Sequence, residues 1–195
     1  MTAPTLFSAT FLIESSSSSP IPSEAVETFF YLLEGTLPHA TSIAFDCSSI
    51  YRDQLFHNSF RINLWSPLSS LTRLEELSID LKDSFIMVSD TDISILSGAF
   101  PRLRSLTLRY PSGYSHPNTR AMPTIATLAE LATGCPELAY LHLAELRVDT
   151  SVQYTMLPLL RHRLCVLEID FFHLADCCNV GLLLTTRSVV PHGDN

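Results

Sequence analysis

The stretch Phe100-Pro101-Arg102-Leu103-Arg104-Ser105-Leu106-Thr107-Leu108 decides how the rest of the chain is read. Its aliphatics stand at the spacing L-x-x-L-x-L, and the alternation of Leu106 and Leu108 with polar neighbours marks a short strand with one apolar face. The same spacing recurs at Leu74/Leu77/Ile79, Leu138/Leu141/Leu143 and Leu164/Leu167/Ile169, with a degenerate version at Ala40/Ile43/Phe45. The first anchors of the five blocks lie 34, 29, 35 and 26 residues apart, an irregular period near that of leucine-rich repeats.

Helical patterns precede these strands. Val26, Phe29, Phe30 and Leu33 fall at i, i+3, i+4 and i+7, opened by Pro22-Ser23-Glu24 and closed by Gly35. Ser89 and Asp92 have capping-box spacing before Ile93 and Leu96, with Gly98 as the stop. Ile125, Leu128, Leu131 and Ala132 form the next stripe, ended by Gly134, and Tyr154, Leu157 and Leu160 suggest another before the last strand. A strand and helix of this size cannot bury both apolar faces alone, so neighbouring blocks must stack. The expected fold class is α/β: a leucine-rich repeat solenoid of about five irregular repeats, with a curved parallel sheet on the concave side and helices on the convex side. A single array over 1–195 is expected, with a partial repeat and Ser-rich loop at 1–20, repeats at 21–174 and an irregular end at 175–195. Leu6 to Ile13 reads as a strand of that partial repeat.

Composition narrows the function classes. The chain has 195 residues, 46% of them hydrophobic and 16% charged, which suits a packed core better than disorder. No apolar run approaches the roughly 18 residues of a membrane span. Twenty acidic residues against twelve basic give a net charge of −8, unfavourable for binding phosphate backbones, so neither nucleic acid nor membrane is expected as a partner. Eleven of the basic residues are Arg, and Lys82 is the single Lys. Five cysteines without a CxxC pair read as reduced thiols, and no basic residue precedes the first apolar run, so an intracellular location, cytoplasm or nucleus, is expected. Phosphate-loop, nucleophile-elbow and H-E-x-x-H motifs do not occur, and no enzyme, cofactor or metal site is assigned.

Phe100-Pro101-Arg102-Leu103-Arg104-Ser105-Leu106-Thr107-Leu108 and Cys135-Pro136-Glu137-Leu138-Ala139-Tyr140-Leu141-His142-Leu143 resemble the F/C-P-x-L-x-x-L-x-L units of leucine-rich F-box-type proteins, abundant in fungi. Leu37-Pro38-His39-Ala40-Thr41-Ser42-Ile43 resembles the same unit, and the resemblance covers about residues 20 to 170. It implies a protein-binding role, that of the substrate-recognition part of a cullin-type ubiquitin ligase receptor. The chain departs from the family in two respects. No F-box helical segment is read in it, which leaves a ligase adaptor unassigned. The Asn of regular repeats is replaced by Ser48, Lys82, Pro111, Leu146 and Phe172.

If the strand aliphatics point inward, the alternate positions line the concave face in three columns. These are Ser42, Glu76, Ser105, Tyr140 and Val166; Ala44, Ser78, Thr107, His142 and Glu168; and Asp46, Asp80, Arg109, Ala144 and Asp170. Asp46 beside Asp80 would be a like-charge pair partly relieved by Arg109. Five carboxylates against one Arg and one His suggest a protein partner with a basic surface, although strand-exposed acids would equally solvate an acidic protein. The rim loop between Tyr110 and Met122 carries two Tyr and a His, with Tyr114 and His116 as binding candidates, although the favoured reading of such a loop is an insertion with no role. Phe85-Ile86-Met87-Val88 reads as a helix-side core segment in preference to an exposed apolar patch. The alternatives are an incomplete fragment of a longer leucine-rich repeat protein and a hydrolase using His142 with nearby Ser or Asp groups.

Overall fold

The computed structural model describes residues 8–14, 23–48, 65–82, 88–111, 122–148, 163–174 and 182–186. Each L-x-x-L-x-L segment becomes a strand, and four of the five are entered through the same tight turn. The backbone N–H of Ala40 donates to Leu37 O, Leu74 to Leu71 O, Leu103 to Phe100 O and Leu138 to Cys135 O, each at 3.0 Å. Proline follows the first residue of three of these turns (Pro38, Pro101, Pro136), where its fixed φ favours the bend. Ala40, Leu74, Leu103 and Leu138 are all buried, so each turn also anchors its block in the core.

The strands are β1 (Ser8–Glu14), β2 (Ser42–Ser48), β3 (Glu76–Leu81), β4 (Ser105–Arg109), β5 (Tyr140–Val148), β6 (Val166–Leu174) and β7 (Leu182–Thr186). They form one sheet in sequential order, with β1 to β6 parallel and β7 antiparallel to β6. A second hydrogen-bond pattern locks consecutive blocks. Thr41 O accepts from the N–H groups of Glu75 and Glu76, Glu75 O from Arg104 and Ser105, Arg104 O from Ala139 and Tyr140, and Ala139 O from Cys165 and Val166. The residue before each strand therefore sets the register of the next.

Helices α1 (Ser23–Thr36), α2 (Trp65–Leu68), α3 (Asp90–Ala99) and α4 (Ile125–Gly134) lie between strands in sequence. Val26, Phe30 and Leu33 of α1, Ile93 and Leu96 of α3 and Leu131 of α4 share one buried cluster with Ile43, Phe45, Leu77, Ile79, Leu106, Leu108, Leu141 and Leu143 of the sheet. Ser89 caps α3 with the expected capping box: its hydroxyl accepts from Asp92 N–H, and the Asp92 carboxylate accepts from Ser89 N–H at 2.8 Å. Thr124 caps α4. Asp90 ties the two helices, accepting from Thr124 N–H at 2.7 Å, from Thr124 Oγ1 at 2.9 Å and from the hydroxyl of buried Thr127.

Several expectations need correction. The region 175–195 is not irregular throughout, because the apolar Leu182-Leu183-Leu184 run enters the sheet in β7. The described sheet is accordingly parallel over six strands and antiparallel at the seventh. Tyr110 is not a rim residue; it is buried with the core. α1 and α3 run one residue past Gly35 and Gly98, since neither glycine meets a conformational demand that ends a helix. The single turn α2 lies in a stretch that gave no helical period. Val88 is buried, as the core reading of its segment expects, whereas Phe85, Ile86 and Met87 lie outside the described residues, as do Tyr114, His116 and the segment with Tyr154, Leu157 and Leu160.

Candidate functional site

The strand positions that alternate with the L-x-x-L-x-L aliphatics form rows across the sheet. Ser8, Ser42, Glu76, Ser105, Tyr140 and Val166 stand in register, followed by Thr10, Ala44, Ser78, Thr107, His142 and Glu168. Leu12, Asp46, Asp80 and Arg109 form the third row, and Ala144 and Asp170 hold the places just past the paired Leu143 and Ile169. The columns read from the sequence are thus brought together, and β1 adds Ser8, Thr10 and Leu12 as members the column reading missed. The alternation of Phe11 and Ile13 with Ser8, Thr10 and Leu12 was the signal available for them.

Over β1 to β4 this front face is open: Glu76 and Arg109 are exposed, and Ser42, Ala44, Asp46, Ser78, Asp80, Ser105 and Thr107 are half-buried. Asp46 and Asp80 are direct register partners, as expected for a like-charge pair. Two cations relieve them rather than one. Lys82 Nζ lies 2.7 Å from Asp46 Oδ2, and Arg109 Nη1 lies 3.6 Å from Asp80 Oδ2. Ser42 Oγ donates to Glu76 Oε2 at 2.9 Å. Lys82 escaped the column reading because it follows the strand end, where its long side chain can reach back to the preceding strand.

Over β5 and β6 the columns hold a polar cluster of half-buried Tyr140, Glu168 and Asp170 around a buried His142, which corrects the exposed position expected for that histidine. Only 7% of His142 is exposed, and Ala144 is fully buried. His142 Nε2 lies 2.9 Å from Asp170 Oδ1 and Nδ1 lies 3.3 Å from Glu168 Oε2, while Tyr140 OH donates to Glu168 Oε2 at 2.7 Å. Burial pushes the Tyr140 phenol up to about 12, helped by its bond to Glu168 and the negative charge of Glu168 and Asp170, and opposed by Arg109. Tyr140 therefore remains a donor throughout the neutral range. Both ring nitrogens of His142 face carboxylate oxygens, leaving neither directed at a hydroxyl nucleophile, as base catalysis would need.

Beyond this cluster the side-chain alternation is lost, with Ala144, Glu145 and Leu146 all buried in succession and His173 Nε2 3.3 Å from Glu145 Oε2. Among the described residues no group of three or more His, Cys, Asp or Glu side chains is arranged to hold a metal ion. No described helix is long and apolar enough to cross a membrane. Cys47, Cys135 and Cys165 are free thiols; burial, the larger cause at Cys47, and neighbouring Asp46 push Cys47 up to about 11, and burial pushes Cys135 up to about 12. The two buried thiols are thereby poor nucleophiles.

No family model matches the sequence, and no curated protein matches it.

Proposed function

We propose that this chain is a leucine-rich protein-recognition module that binds its partner on the front of the sheet. The carrying observation is that, among the described residues, helices cover one face of a parallel sheet. Parallel sheets are ordinarily buried on both faces, yet here the helices join the sheet's core face while the front rows of β1 to β4 stay accessible. Such a face offers a broad, rigid, polar surface whose side chains are held at fixed strand spacing, suited to a folded protein or an extended segment rather than a small substrate. The resemblance of the turn-and-strand units to F-box-type leucine-rich proteins supports a target-holding role in a ubiquitin ligase receptor.

A basic partner surface fits the front carboxylates Asp46, Glu76, Asp80, Glu168 and Asp170. Lys82, Arg109 and His142 already engage four of these five, so specificity would come from displacing or sharing those pairs. A hydrolase reading finds no support at His142, whose ring is held between two carboxylates.

Photo-crosslinking residues placed at Ser78 or Thr107 should capture the same protein, while residues at the exposed helix positions Thr91 or Ala126 should not. Equal capture from both sides, or none from the front in the source lysate, would overturn this assignment.

A further inference from the structure

We draw no further inference here: the strongest candidate, the Tyr140–His142–Glu168–Asp170 side-chain cluster on the front of β5 and β6, belongs to the site already described, and its hydrogen bonds and ion pairs run between its own members, so that nothing in it points to a further ligand.

Discussion

Gly134 and Gly98 each occupy the last turn of a helix, and from sequence each reads as a helix stop. Their surroundings separate them. A Cβ at Gly134 would sit 2.6 Å from the backbone oxygen of Ser97 and 2.7 Å from its Cβ, whereas a Cβ at Gly98 or Gly35 meets nothing within 4 Å. Gly134 is therefore the close-approach point between α4 and α3, where the obstruction is backbone and cannot swing aside. Gly134→Ala should destabilise the fold by about 1–3 kcal/mol through overpacking. Gly98→Ala and Gly35→Ala should instead stabilise it by about 0.5–1 kcal/mol, because alanine is the better helix former. Midpoints of urea unfolding would show the opposite signs, and a stabilising Gly134→Ala would disprove the close-approach role. Nothing in the local sequence distinguishes these glycines, since the deciding atoms belong to Ser97 in another helix.

At the scale of elements, the strands were legible because L-x-x-L-x-L fixes both the turn and the period-two alternation. Aligning the motifs also gave the rows that the register shows from Ser42 to Val166 and from Ala44 to Glu168. The capping box of α3 was legible for the same reason: its two partners are three residues apart. Elements that depend on distant residues were not. Trp65-Ser66-Pro67-Leu68 is too short to show a period, and the direction of β7 is set by how the chain returns to β6. The Asp90 link between α3 and α4 spans 34 to 37 residues and likewise leaves no local trace. Asp90→Ala should cost about 2 kcal/mol or more, because it removes a charged acceptor from two hydroxyls and an amide, one of those hydroxyls on fully buried Thr127. Asp90→Asn should recover part of that loss. Unfolding free energies of the two variants test this, and an Asp90→Ala protein as stable as wild type would show that the link contributes nothing.

Across the whole molecule, one buried cluster runs from Val26 to Ile169 and includes Trp65, the single tryptophan. No block has a core of its own, so the described array should unfold as a unit. Tryptophan fluorescence, which reports on α2, and far-ultraviolet dichroism, which reports on every element, should give coincident denaturation curves. Separated midpoints would mean that blocks unfold independently, as in arrays with weak coupling between neighbours. At this scale the sequence revealed the front columns but not that His142 and Ala144 within them are buried. Burial of His142 requires Tyr140, Glu168 and Asp170 to converge on it, an outcome of packing between strands that no spacing rule encodes. The scarcity of lysine has a practical consequence. Lys82 is the only side-chain amine in the sequence, and it lies against Asp46 at the edge of the front face. An amine-reactive dye would thus have a single side-chain target, beside the proposed binding surface, and acylation there would remove a positive charge next to the Asp46–Asp80 pair.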